Sequence, residues 1–429
     1  MQRVYLLLTL LTTLAASLIW GINTLFLLDA GLSNTQAFAA NAFFTAGLVV
    51  TEIPTGVVAD TAGRRRSFLL GTTTLLLSTL LYLLMWQVHG PFWGWAISSA
   101  LIGLGFAFFS GAVEAWLVDA LDATGFGGSL ESVFAKGQVV GGAAMLTGSI
   151  AGGVIAQATT LGVPYVVRAV LLGVTFVAAL VFMRDLGFQP VHGKRPVEEV
   201  RRVMRLSISG GLGNRPVRWL MLEAPFTIGV GFFAFYAMQP YLLELYGDER
   251  AFGVAGLAAA VVAGSQILGG FAVPLVRRLV RRRTDALIGA AVISVAALAL
   301  IGRTSSFVVA VTLLVVWALT TAAALPMRQS FLNGLIPSAQ RATVLSFDSL
   351  MGSAGGVVAQ PVLGRVADVS GYGASYVVSA AFTALVLPFV VLARRENAPS
   401  DPVTHGDVPT EPQPAPSVPP EAETLPGGP

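Results

Sequence analysis

Residues 56–66 read Gly56-Val57-Val58-Ala59-Asp60-Thr61-Ala62-Gly63-Arg64-Arg65-Arg66. Apolar runs flank this stretch, near residues 36–59 and 67–87, each long enough to cross a hydrocarbon layer of about 30 Å as a helix. A carboxylate followed by three guanidiniums is too costly to leave at bilayer depth. The stretch is therefore a hairpin at a membrane surface, with Gly63 free to take the turn.

The rest of the chain repeats that alternation of apolar run and short polar connection. Of 429 residues, 55% are hydrophobic and 11% charged, with mean hydropathy +0.74. A soluble domain carries about a quarter charged residues, so this chain cannot clothe itself in polar surface. Apolar runs fall near residues 4–28, 36–59, 67–87, 92–120, 131–157, 163–184, 218–245, 251–274, 285–302, 306–328, 342–364 and 374–393. Lipid cannot hydrogen-bond the backbone, so each run must be helical. The pattern predicts an all-α membrane protein of twelve transmembrane helices, spans 1 to 12. The first run lacks a small-residue cleavage site and is followed at once by another, which makes it span 1 and not a signal peptide.

With the N-terminus in the cytoplasm, 22 of the 26 lysines and arginines fall on that side; Arg250, Arg303 and Arg365 fall outside, and Arg168 lies within span 6. This is the positive-inside asymmetry. It predicts a multi-pass protein of the plasma (inner) membrane with both termini cytoplasmic. The pI of about 9.4 is thereby accounted for by the lipid bilayer, and no nucleic-acid partner is needed. The chain is expected to act as a monomer.

Residues 1–184 form one predicted six-helix bundle and 218–395 a second. Between them, 185–217 is a cytoplasmic basic linker containing Lys194, Arg195, Arg201, Arg202 and Arg205, suited to lie on an anionic leaflet. The tail, 396–429, is rich in proline and acidic residues and is expected to be disordered. Sliding the second half on the first by 211 residues matches Gly141 with Gly352, Gly153 with Gly364 and Tyr165-Val166-Val167 with Tyr376-Val377-Val378. Nine identities fall in 29 positions, against roughly three expected for such text. The bundles therefore read as parallel, pseudo-symmetric repeats, whose rocking about a shared pocket is the physical basis of alternating access.

The 56–66 stretch fits GxxxDxxGRR and resembles the loop signature of the major facilitator superfamily. With twelve spans, the resemblance covers the whole membrane part. It implies the superfamily fold, a secondary transporter with a small-molecule substrate, and a gating role for Gly56, Asp60, Gly63, Arg64 and Arg65. By that analogy Gly56 permits close approach of another helix, Asp60 faces the start of span 11, and the arginines reach Asp119 at the end of span 4, with Asp122 in reserve. Together these contacts latch the two bundles. In span 5, Gly148-Ser149-Ile150-Ala151-Gly152-Gly153 resembles the GPxxGG segment of the superfamily's proton-coupled exporters, with serine in place of proline. Gly148, Gly152 and Gly153 also form a small-residue face for helix packing.

Acids inside the membrane are functional candidates by default. Glu114 leads, because the resemblance makes spans 1, 4, 7 and 10 cavity-lining and its neighbourhood FFSGAVEAWLVDA is otherwise apolar. Glu52, two turns above Asp60, and Glu223 in span 7 are further proton-coupling candidates. A static pair of Glu114 with Lys136 or Arg64 is the rival reading. Asp348 and Lys136 read as paired structural charges, and Arg168 as snorkelling near the outer surface. Asn23, Gln138, Gln239, Trp116 and Phe232 are candidate substrate-cavity residues, and an apolar cavity with few charges suits a lipophilic or amphipathic molecule.

No catalytic residue or metal ligand is expected. Cysteine is absent, and His89, His192 and His405 are far apart, so thiolate and histidine metal sites drop out. No GxxxxGKS loop or nucleophile elbow occurs. The expected chemistry needs no cofactor, with protons as the coupling ion. The expected function is proton-coupled efflux; a proton-coupled importer and a non-transporting membrane sensor or scaffold are the alternatives.

Overall fold

The computed structural model describes residues 1–190 and 208–403. The basic linker residues Lys194, Arg195, Arg201, Arg202 and Arg205, and the tail beyond Val403, lie outside the described residues. Among those described, the chain is helical in twelve spans. Span 1 is Gln2–Trp20 continued by Asn23–Asp29, span 2 Asn34–Ala62, span 3 Arg64–Gln87, and span 4 Phe92–Ala107 continued by Ala112–Ala123. Spans 5 to 8 are Leu130–Ala158, Val163–Phe182, Arg215–Tyr246 and Phe252–Phe271. Spans 9 and 10 are Arg283–Ile301 and Phe307–Asn333.

Spans 11 and 12 run without a loop through Ser338–Ala384 and Val386–Arg395. They are two crossings, because the 53 residues of Thr343–Arg395 would make a rod of about 80 Å at 1.5 Å per residue. Gly371, at φ 81° and ψ 167°, breaks it. The Ser375 hydroxyl donates to the Leu363 carbonyl at 2.7 Å, a contact that twelve residues of straight helix would forbid. Twelve crossings place the start of span 1, the end of span 12 and the 63–66 turn on one face, termed the basic face. The other is the opposite face.

The repeat is visible in side-chain register. Tyr165 donates to Asn23 Oδ1 at 2.9 Å, and Tyr376 donates to the Ala234 carbonyl at 2.9 Å. Both donor and acceptor shift by 211 positions. Span 5 packs on span 1 through glycines, and span 11 on span 7 likewise. A Cβ at Gly152 would lie 1.8 Å from the Leu18 carbonyl oxygen, and one at Gly355 would lie 2.1 Å from that of Pro225.

Several helix starts take a carboxylate from a distant part of the chain, which satisfies amide donors that have no partner within the helix. Asp368 accepts from the Asn34 and Thr35 amides, at 2.8 and 2.9 Å, and joins span 11 to span 2 across the bundles. Asp185 accepts from the Arg65 amide at 2.8 Å. Asp401 accepts from the Thr284 amide and hydroxyl, both at 2.9 Å. The last contact corrects the expectation of a tail that is disordered from 396: residues up to Val403 are docked, because Asp401 caps span 9.

Candidate functional site

Hydrogen bonds join the bundles in the half nearer the opposite face. Gln239 in span 7 accepts from the Thr24 amide at 2.9 Å and donates to the Trp20 carbonyl at 2.7 Å. Gln360 Nε2 donates to Thr45 at 3.4 Å. Gln157 accepts from the Gly253 amide at 2.9 Å, and Tyr372 bonds Asn34. Gly21, Gly153 and Gly256 let spans 1, 5 and 8 touch by backbone: a Cβ at Gly256 would lie 2.6 Å from the Ser149 carbonyl oxygen, and one at Gly153 would lie 2.6 Å from that of Phe252. Gln239, expected in the cavity, therefore belongs to a buried seam between the halves, and Asn23, also expected there, is buried and bonds Asn41 at 2.8 Å and Tyr165 within the first bundle.

Toward the basic face, span 4 is interrupted. Residues 108–111 unwind, and Gly111 takes φ 68°, a left-handed conformation that disfavours side chains. The freed carbonyls are satisfied from neighbouring helices. Thr55 donates to Ala107 at 3.1 Å and Ser67 donates to Phe108 at 3.0 Å. Irregular backbone at membrane depth is tolerated where it lines a cavity, and here a cavity of about 250 Å³ is lined by Tyr5, Thr9, Thr12, Thr13, Glu114 and Gln138, among others.

Glu114 sits in the first turn after the break, where the helix dipole favours a carboxylate. It is exposed to the cavity, not wrapped in apolar side chains as its sequence neighbourhood suggested. Among described residues it pairs with neither Lys136 nor Arg64. Glu52, in span 2, lies near Ser110 of the same break but does not line this cavity. Trp116 does not line the cavity: it is buried in the first bundle and donates to the Arg184 carbonyl at 2.8 Å. Phe232 packs where a Cβ on Gly356 would fall.

The third acid, Glu223, lies in the second bundle. Its partner is Arg328, which stands where the apolar run of span 10 ends in sequence but which the helix, continuing to Asn333, carries inward. Arg328 Nε lies 2.6 Å from Glu223 Oε1, and its terminal nitrogens lie 2.5 and 2.7 Å from the Asp348 oxygens. Arg328 also donates to the Leu220 carbonyl at 2.8 Å, and Thr227 donates to Glu223 at 2.5 Å. Asp348 is thus paired with Arg328, not with Lys136. A second cavity of about 100 Å³, lined by Glu223, Thr227, Trp317 and Arg328 among others, opens beside this cluster.

At the 56–66 hairpin, Gly63 has φ 111°, and a Cβ there would meet Asp185 at 2.5 Å. Arg64 pairs with Asp60 at 2.6 Å and approaches Asp119 at 3.9 Å. Arg65 donates to the Leu180 carbonyl at 2.5 Å. These contacts tie spans 2, 3, 4 and 6 together, so the arginines brace the first bundle internally. Around Gly56 a Cβ would meet nothing within 4 Å, so the close approach expected there is not made in this conformation. Arg168, expected to snorkel, is 2% exposed and buried. Sequence reading passed over Asp185, Asp368, Arg328 and Asp401, since only tertiary folding reveals what each one faces.

Twelve spans in two repeated bundles, sealed toward one face and carrying acids beside cavities, define a membrane transporter. The sequence model of the Major Facilitator Superfamily matches residues 5–319 and 271–422, and the chain belongs to that superfamily. Solved structures with the same fold include a nucleoside transporter, NupG (TM-score 0.76, 11% identity, 91% of this chain and 98% of that one). A bacterial homolog of the human lysosomal transporter Spinster, inward-facing and unoccupied, gives TM-score 0.70 at 16% identity over 93% and 97% of the two chains. A D-xylose-proton symporter gives 0.66 at 13% identity over 91% and 96%. No curated protein matches the sequence.

Proposed function

We propose that this transporter couples export of a small amphipathic molecule to proton entry, acting as a monomer in the plasma membrane with its basic face in the cytoplasm. The observation that carries the coupling is the break in span 4, which exposes Glu114 to the cavity in the first turn that follows it. A carboxylate held in a polar cavity by a helix N-terminus can exchange a proton with water without a static cation to neutralise it. Protonation removes its charge, and charge at bilayer depth is what opposes enclosing the cavity. Binding a proton and binding substrate thereby become alternative ways to permit the closed states.

The Asp60, Arg64, Arg65 and Asp119 cluster then serves as the rigid end of the first bundle against which the cytoplasmic gate closes. The lean toward export rests on Gly148, Gly152 and Gly153, which pack span 5 onto span 1 and onto span 8. Run in the other direction, the same machinery is a symporter, and dye accumulation in cells with and without the protein decides the direction.

In everted vesicles, uncoupler is expected to collapse substrate accumulation. Glu114→Gln is expected to abolish substrate-driven proton release while downhill exchange and expression persist. Full proton release from that variant would remove Glu114 from the coupling step.

A further inference from the structure

Among the described residues, Arg168 is buried and Arg328 largely so, and they are treated differently. Arg328 is met by two carboxylates and a backbone carbonyl. Arg168, six residues into span 6 and 2% exposed, has its Nε donating to Thr79 Oγ1 at 3.1 Å. Its terminal nitrogens make no hydrogen bond with the described residues, and no aspartate or glutamate among them pairs with it. A buried cation without an anion is strongly disfavoured. Its persistence points to a partner that the folded chain does not itself supply.

The surroundings carry surplus donors as well. Three phenols, Tyr82, Tyr165 and Tyr236, lie close enough to the guanidinium to interact with it electrostatically. Tyr82 is engaged with Ser99 at 2.5 Å, and Tyr165 with Asn23. The Tyr236 hydroxyl has no partner among described residues. Further along the same seam, Asn41 Nδ2 and Thr24 Oγ1 are buried without partners. Spans 1, 2, 3, 6 and 7 thus converge with unspent donors, one positive charge and phenols.

We infer that Arg168 docks the carboxylate of an organic monoanion as it passes between the bundles. The planar guanidinium fork with two free terminal nitrogens matches the two oxygens of a carboxylate. With one cation and no second, the charge balances a monoanion; a phosphate dianion would be left half neutralised. The apolar side chains packed along this seam, Ile22 and Leu243 among them, suit an apolar or aromatic body behind the carboxylate. This sharpens the proposed function, and rests on it, by assigning the amphipathic cargo an acid group.

The full-length protein, purified in detergent, carries seven tryptophans, and Trp86 and Trp95 both pack on Phe26, which stacks on Tyr165. Thermal unfolding followed by tryptophan fluorescence, with benzoate, benzamide, benzylamine or chloride at matched ionic strength, tests the inference. Benzoate is expected to raise the unfolding midpoint and to bind about tenfold or more tighter than benzamide or benzylamine. Arg168→Gln is expected to erase that preference, and Arg168→Lys to keep a fraction of it. Equal binding of benzoate and benzamide, no shift with either, an equal shift with chloride, or an undiminished benzoate preference in Arg168→Gln would each overturn the proposal. The wild-type comparison decides the matter even if Arg168→Gln does not fold. Uncoupler-sensitive export without any carboxylate preference removes this inference and leaves the transport reading standing.

Discussion

Replacing Arg328 with methionine is expected to lower the stability of the second bundle by about 3–5 kcal/mol, the cost of removing one partner from a buried ionic cluster. Glu223 and Asp348 are 3% and 6% exposed, and the change leaves both facing hydrocarbon with one shared cation gone. The leftover carboxylates, more than the lost bonds, make the change severe. The triple variant Arg328→Met, Glu223→Gln, Asp348→Asn is therefore expected to recover most of the loss, since neutralising the whole cluster removes the uncompensated charge. Unfolding of the detergent-solubilised protein, followed by tryptophan fluorescence, checks both. Equal damage in the single and triple variants would show that shape, not charge, governs this site.

Gly152→Ala is expected to be the most damaging one-carbon change in the first bundle. The added methyl would lie 1.8 Å from the Leu18 carbonyl oxygen and 3.1 Å from the Leu18 Cα. The obstacle is backbone, so span 5 must back away from span 1, at about 1–3 kcal/mol for overpacking a tight contact. Because span 5 also meets span 8 at Gly153 and Gly256, the displacement disturbs the seam between bundles and transport should suffer more than folding does. Gly173→Ala is the control: nothing lies within 4 Å of that Cβ, and a gain of about 0.5–1 kcal/mol in helix preference is expected. Transport and melting measured side by side separate the two cases. Equal behaviour of the two variants would discount the seam.

The fold was legible because hydrocarbon permits little else. Runs of the right length, the 22 to 3 distribution of cations and the 211-residue repeat each follow from local text. The approach of Arg64 to Asp119 follows from a short loop and a known helix end. What the sequence concealed is which charge faces which. Arg328 looks like a loop arginine because the apolar run ends there, yet span 10 continues to Asn333 and turns that side chain toward spans 7 and 11. Arg168 sits near a helix end, where snorkelling is the usual solution, but the neighbouring spans close over it. Trp116 has the right span for a cavity residue and the wrong face. The borrowed caps from Asp185, Asp368 and Asp401 were illegible for one reason: helix-capping rules read three or four residues, and these partners are over a hundred residues away.

Reciprocal motion of the two bundles can be read directly, because the chain has no cysteine and paired cysteines accept spin labels without background. One pair, at Ser33 and Ser370, straddles the opposite-face seal near Asp368; the other, at Arg66 and Arg341, straddles the basic face. Distances measured by pulsed electron resonance in nanodiscs, in acidic and in alkaline buffer, are expected to show two populations for each pair, with one pair lengthening as the other shortens. A single unchanging distance at both faces, or both pairs lengthening together, would contradict alternating access about the span 4 cavity.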